Sequence, residues 1–382
     1  MIKGLPHTSR WIAELEGEFT QADIKVVPEG KHELPAEILK TVKDAWEAKV
    51  ADAKVSLANE FAESDIVQEP VNGLSRLYVM ADGRKTPRLF AGSMVRLNRF
   101  FVRDKKLTLH LGETNYAELM ATNNKNPFEI LERYGAEGLA DPVNVSVAIS
   151  IRDGDAPMLF TFDRGYGLGE YSSRGESRDE TLEICVAGGL SPDTMHPHAS
   201  ALRESYEEAR IITVDDARAL KKAGTIRKDA RVRQITSSGS TRVALITDKS
   251  GEYRVAFMTY RSPICTGIIT NVDPFDIDTQ GKPTSHFRPE FLYDWDTGIQ
   301  REDIEGTWTR AREHKGINFI PFTEDGLGAY LLDRYENLLP PGHAALAYAG
   351  KRKFGDGWFK AVIKDTNKKS PIATNHPYFS KL

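Results

Sequence analysis

Cysteine is scarce in this chain. Cys185 and Cys265 are the only two in 382 residues, too few for a disulfide framework or a cysteine-based zinc site, so a reducing cytoplasm is the expected compartment. No stretch approaches the ~18 consecutive apolar residues that a membrane span requires. The opening MIKGLPHTSRWIAELEGE has no apolar core of a signal peptide, so neither secretion nor a membrane is expected. Charge of one sign is missing too. Lys and Arg number 51 against 55 Asp and Glu, a net charge of −4, whereas a nucleic-acid groove needs a net or clustered basic field. Gly165, Gly167 and Gly169 lack the following helix and the Lys-Ser/Thr of a phosphate-binding loop. There is no internal repeat and no low-complexity tract. What is present is an even mixture, 40% hydrophobic and 28% charged, long enough to bury a sizeable core.

Patterning divides the chain. Residues 1–64 read as helical, with Ile38, Val42, Trp46 and Val50 on one face at steps of four, after Pro35 at the helix start. Strand-like segments follow from Leu77, and Leu107, Leu109 and Leu111 alternate with Thr108 and His110 as in a half-buried strand. Short helices are expected at 114–121 and near Pro127–Tyr134. Segments 143–153 and 158–164 read as a hairpin, 165–180 as an exposed loop, and 181–190 as a buried strand ending at Gly188-Gly189. Helices are predicted at 198–211 and 215–223, and strands at 231–236, 241–247, 253–261 and 317–322. Two further helices are expected at 324–339 and 342–354, with no periodicity after Lys368.

The chemistry concentrates at 188–211. On a helix, Glu204, Glu207 and Glu208 lie at i, i+3 and i+4, so three carboxylates share one face and repel one another. Arg203 offsets part of that repulsion, but one guanidinium cannot neutralise three carboxylates. A hard divalent cation such as Mg²⁺ can, taking carboxylates together with water and phosphate oxygens. The preceding Gly188-Gly189 allows close backbone approach and offers a carbonyl ligand. The plain alternative is a solvated acidic face.

This segment resembles the Nudix box: Gly, five residues, Glu, seven residues, Arg-Glu, aliphatic, any, Glu-Glu, any, Gly, aliphatic. Anchored at Gly189, Arg203, Glu204, Glu207, Glu208 and Ile211 fall in register, while Met195, Ser205 and Arg210 depart from it. The resemblance implies that Glu204, Glu207 and Glu208 bind metal, with Glu204 a ligand or general base. It makes Arg203 the residue that orients a neighbouring glutamate, and a carbonyl of Gly188 or Gly189 a backbone ligand. Met195 in place of glutamate puts the bracing of the loop in question, Arg210 removes the usual helix-ending glycine, and Ser205 weakens the packing beneath the helix.

A narrower resemblance covers 109–123. Leu109, Leu111, Gly112, Thr114, Tyr116, Thr122 and Asn123 are similar to a signature of UDP-glucose-hydrolysing Nudix proteins, and 339–349 is similar to that group as well. The same segment also reads as strand, turn and helix, with Thr114 as the cap. Candidate substrate contacts are Thr122, Asn123, His196, His198, Arg164, Arg174 and Arg178. An additional carboxylate is open among Asp294, Asp296 and Glu324. Cys185 reads as core, and Trp295 and Trp308 as core or as stacking surfaces for a base.

The expected fold is therefore α/β: a Nudix α/β/α sandwich with a mixed sheet at 142–354. A mixed helical and strand extension at 1–141 would contribute to the substrate pocket, and 355–382 would be a tail. The expected reaction is Mg²⁺- or Mn²⁺-dependent hydrolysis of the diphosphate bond of a nucleoside diphosphate linked to another moiety, best a UDP-sugar giving UMP and sugar 1-phosphate. The alternatives are a Nudix module that binds a nucleotide-sugar without turnover, and a hydrolase of another diphosphate in a specialised pathway. The partner is then a small nucleotide diphosphate, with no nucleic acid and no membrane; a homodimer is one assembly open to the chain.

Overall fold

The computed structural model describes residues 5–71, 73–81, 83–89, 91–123, 127–164, 182–190, 192–213, 233–236, 242–247, 253–277, 283–307 and 314–369. The amino-terminal third forms β1 (Trp11–Phe19), β2 (Ile24–Lys31), α1 (Ala36–Ala58), β3 (Ile66–Val71), β4 (Leu74–Ala81), β5 (Arg84–Leu89), β6 (Ser93–Arg103), β7 (Lys106–Asn115), α2 (Tyr116–Thr122) and α3 (Pro127–Tyr134). The middle contributes β8 (Asn144–Asp153), β9 (Ala156–Arg164), β10 (Leu182–Ile184), β11 (Val186–Gly189), α4 (Pro197–Ala209), β12 (Ile211–Thr213), β13 (Arg233–Thr236), β14 (Arg242–Thr247) and β15 (Tyr253–Thr259). Then come β16 (Ile264–Ile277), β17 (Pro283–Gln300), α5 (Arg301–Thr307), β18 (His314–Pro321), α6 (Glu324–Asp333), α7 (Pro340–Phe354) and α8 (Asp356–Lys369).

The fold is mixed α/β. Its main sheet has eight strands in the order β1-β16-β17-β8-β9-β10, with β11 on β8 and β18 on β9. It is a mixed sheet because β17 runs parallel to β8 while the other pairs are antiparallel. β8 is buried along most of its length, and its alternation sorts the two faces. Val145, Val147, Ile149 and Ile151 join Phe291, Tyr293 and Trp295 of β17 in a cluster that includes Ala201 and Leu202 of α4. Ala148 and Leu292 point the other way, toward α6, α7 and α8. Helices therefore cover both faces. α7 can lie close because its middle is Ala344-Ala345-Leu346-Ala347, all buried. Among the described residues no helix is long and apolar enough to cross a membrane.

Several local expectations agree with the structure. Ile38, Val42, Trp46 and Val50 of α1 are buried together, and the Trp46 indole donates to the Ser75 carbonyl at 2.7 Å. Leu107, Leu109 and Leu111 are fully buried in β7, which lies between β2 and β6 in a three-stranded sheet.

Other expectations are corrected. Residues 1–64 are not helical throughout: β1 and β2 precede α1, and β1 is a strand of the main sheet, paired with β16. Its Glu, Leu and Ala are good helix formers, but Glu16 and Glu18 alternate outward to meet Lys351 and Arg352 of α7. The segment 355–382 is not a tail from its start, because α8 buries Phe359, Val362 and Ile363 against α7 and its neighbours. β16 and β17, the longest strands among the described residues, carry Pro289, Asp294 and Asp296 and show no simple alternation; each is paired on both sides. The expected loop 165–180, the helix 215–223, Arg174, Arg178 and Trp308 lie outside the described residues.

Candidate functional site

The site is built where β11 leaves the sheet. Gly188 and Gly189 pair with Val145 and Asn144 at the start of β8, and Leu190 returns to the core with its N–H on the Val143 carbonyl at 3.0 Å. The chain then turns into α4. His196 is the N-cap, its Nδ1 accepting from the His198 N–H at 3.2 Å, and Pro197 opens the first turn. Met195, at the position of the missing glutamate, takes a left-handed φ of 46° and packs against the core. The helix ends at Ala209 without a glycine. Arg210 itself adopts the left-handed cap, φ 58°, with its N–H and one guanidinium nitrogen on the Tyr206 carbonyl at 3.1 and 3.2 Å.

The three glutamates have different surroundings. Glu204 points into the fold against Gly188, where a Cβ would overlap its carboxylate. Arg203 fixes it: the guanidinium donates to Glu204 Oε1 at 2.5 and 3.2 Å and to the Gly189 carbonyl at 2.6 Å. Burial raises the Glu204 pKa to about 7; Arg203 opposes the rise, and Glu208 and Glu207 add to it. Glu208 accepts the Ala187 N–H at 3.2 Å, and its other oxygen lies 3.5 Å from His314 Nε2. Glu207 is exposed. The site thus presents a partly buried acidic face with one guanidinium and one imidazole beside it.

Hard oxygen donors of this kind suit a divalent cation, and the missing side chain at Gly188 lets the Glu204 carboxylate lie directly against the strand backbone. Among the described residues, however, no three His, Cys, Asp or Glu side chains converge on one point as arranged. Glu204 is turned toward Arg203, and Glu208 toward Ala187.

The other predicted residues scatter. His198, in the first turn of α4, is fully buried edge-on to Tyr293, with neither ring nitrogen hydrogen-bonded, and burial followed by the neighbouring His196 lowers its pKa to about 4. His196 serves as a cap. Thr122 and Asn123 are both fully buried and bind the turn at 139–141, the Ala140 N–H reaching Thr122 Oγ1 at 3.0 Å and Asn123 Oδ1 at 2.9 Å. Thr114 is not the α2 cap; Asn115 is, and Thr114 donates to the Glu118 carboxylate at 2.7 Å. Arg164 ends β9 opposite His314. Cys185 is buried core, and its thiol pKa is pushed well up by burial. Trp295 is core too, its indole donating to the Arg261 carbonyl at 2.5 Å.

The proposed extra carboxylates lie elsewhere. Asp294 and Asp296 are on the α7 face of β17, opposite α4, where Arg352 and Arg261 take them. Glu324 is exposed at the start of α6. Two residues were not anticipated. His314, stacked on Phe162 at 4.4 Å, reaches Glu208 from β18. Glu290 is buried beside Asn144, bonded to Ser146 Oγ at 2.7 Å, with its pKa raised to about 7 by burial. Neither sits in a motif, and both reach their partners only through strand pairing.

No protein-family model matches the chain, and no curated protein matches it. Among solved structures, the chain is similar to a crystal structure of a candidate NUDIX hydrolase from Listeria monocytogenes, at 14% identity and a TM-score of 0.26, over 56% of this chain and 94% of that one.

Proposed function

We propose that the chain is a Nudix-type hydrolase acting on the diphosphate bond of a nucleoside diphosphate linked to another moiety, with a divalent cation, Mg²⁺ or Mn²⁺. The observation that carries this reading is the Arg203–Glu204–Gly189 linkage: a guanidinium that ties the glutamate of the Arg-Glu pair to the glycine backbone, in register with the Nudix pattern. Glu204, Glu207, Glu208 and a carbonyl of Gly188 or Gly189 would hold the cation, which when bound supplies positive charge to the diphosphate oxygens and acidifies water. The chain's own part is to position and to move a proton. Arg203 holds Glu204 in one orientation. Glu204, kept ionised beside a bound cation, is the group that would accept a proton from the attacking water. As water adds to one phosphorus, the bridging P–O bond breaks and its electrons leave with the second phosphate. A UDP-sugar, giving UMP and sugar 1-phosphate, remains the substrate favoured by the likeness at 109–123.

A second reading has an observation in its favour. The box carboxylates are turned to Arg203, Ala187 and His314 rather than to one point, which suits a module that binds a nucleotide-sugar without turning it over. A titration with Mg²⁺ that follows UMP release from UDP-glucose, repeated on Glu207→Gln and Glu208→Gln, separates the two. Turnover in the wild type that falls at least 100-fold in folded variants supports hydrolysis. Binding without turnover supports the sensor. A panel of NDP-sugars, ADP-ribose, dinucleoside polyphosphates and prenyl diphosphates tests the substrate class, and reaction with prenyl diphosphates alone would sink the nucleotide reading.

A further inference from the structure

The opposite face of the main sheet carries a cavity that the box does not use. It has a volume of about 370 Å³, within the ordinary range for small-molecule sites, and opens between β8, β17 and the end of α7. Pro157, Phe322 and Ala349 form its apolar wall. Ser150 and Arg152 come from β8, Asp294 and Asp296 from the adjacent rows of β17, and Arg352 and Lys353 from α7.

The charges do not cancel. Arg352 is satisfied twice, by Glu18 at 3.1 Å and by Asp294. Asp296 is taken by Arg261, leaving Arg152 4.0 Å from it. Lys353 has no carboxylate within ion-pair distance among the described residues: it donates to the Phe322 carbonyl at 2.7 Å and lies over the Phe322 ring at 3.8 Å. Burial, and then the nearby Arg152, lower its pKa. Asp294 is 93% buried (7% exposed), and its Oδ1 has no hydrogen-bond partner while Oδ2 takes Arg352. The cavity therefore combines a surplus cation, a second cation only loosely paired, and a buried carboxylate with unused acceptor capacity. A buried acceptor without a donor is unfavourable, so such an arrangement persists more readily where a ligand relieves it.

We infer that this cavity is a second ligand site, for a small hydroxylated anion whose phosphate or carboxylate group sits on Lys353 and Arg152 while a hydroxyl donates to the Asp294 carboxylate. The ligand is thus a sugar phosphate or a hydroxy acid. The apolar wall and the Phe322 ring bound its size. The inference is independent of the reaction proposed for the box, because the two sites lie on opposite faces of the sheet.

Calorimetric titration of the full chain with glucose 1-phosphate, malate, inorganic phosphate and glucose tests it, on the wild type, Lys353→Met, Arg152→Gln and Glu207→Gln. The expected result is that glucose 1-phosphate or malate binds at least tenfold more tightly than inorganic phosphate or glucose. Lys353→Met and Arg152→Gln should each weaken that binding at least tenfold, with thermal unfolding still cooperative, and Glu207→Gln should leave it intact. Preference between the two anions assigns phosphate ester or carboxylate. The site is overturned if neither anion binds, if inorganic phosphate binds as well as both, or if affinity survives both cavity variants. Loss of binding in Glu207→Gln would place the ligand in the box and overturn it equally.

Discussion

The Glu204 carboxylate occupies the space in which a Cβ on residue 188 would stand, so glycine at 188 and glutamate at 204 are two parts of one fit. Gly188→Ala should cost about 1–3 kcal/mol through overpacking. Because the pair shares one volume, Gly188→Ala combined with Glu204→Ala should be more stable than the sum of the single effects, which urea unfolding of all four proteins measures. Strict additivity would show that the two do not touch.

Arg203 bridges Glu204 and the Gly189 carbonyl, and a lysine cannot make both bonds with one ammonium. Arg203→Lys should lose about 1–3 kcal/mol. If the box hydrolyses diphosphates, it should also lower kcat at least 100-fold while KM changes little, as steady-state kinetics would show.

Burial places the folded-state pKa of Glu204 near 7, above the 4.5 of the unfolded chain. Between those values the folded protein keeps a proton that the unfolded chain has released. Stability from this group is therefore full below pH 4.5 and is lost as pH rises through 7, by up to about 3 kcal/mol. Buried Glu290, Asp141 and Asp294 act in the same direction, so the measured quantity is the difference from Glu204→Gln. In chelator, the stability gap between Glu204→Gln and the wild type should widen in favour of the variant between pH 5 and 8. Millimolar Mg²⁺ should narrow it if the ionised carboxylate binds the metal; an unchanged gap would count against the cation site.

Arg210 caps α4 in a conformation that costs an L-residue about 1–2 kcal/mol, partly offset by its bonds to the Tyr206 carbonyl and its position over the Tyr206 ring. Arg210→Gly removes the strain and the contacts together and should stay within about 1 kcal/mol of the wild type. Arg210→Ala removes only the contacts, and denaturant midpoints should rank it about 1 kcal/mol below the glycine variant.

Asn123 accepts from the Ala140 and Asp141 N–H groups and donates to the Asp141 carboxylate at 2.9 Å, holding a turn in which Asp141 has a φ of 39°. Asn123→Ala should destabilise the protein by about 1–3 kcal/mol, since it orphans buried donors. KM for any diphosphate substrate should remain within twofold in the folded protein. A large KM effect at unchanged stability would restore Asn123 as a substrate contact.

Features confined to one element were legible from the chain alone. The stripe Ile38–Val42–Trp46–Val50, the alternation Leu107–Leu109–Leu111, and the Gly-Gly, Arg-Glu and Glu-Glu register of 188–208 all emerge where spacing put them, because period and burial are properties of a single helix or strand. What lay between elements was not. β1 reads as helix until Lys351 and Arg352, more than 330 residues away, meet its alternating glutamates. Asp294 and Asp296 read as additional carboxylates for the box until the pleat of β17 turns them to the opposite face. His314 and Glu290, in no motif, acquire their places by pairing with β9 and β8.

The sequence by itself determined the amphipathic elements, the acidic register of α4 and the shortage of net charge. Tertiary structure alone decided which glutamate is buried, which arginines are already spent, and on which face of the sheet each remaining charge lies. The physical reason is that a carboxylate's pKa and accessibility depend on what packs against it across the sheet, and no local period carries that information.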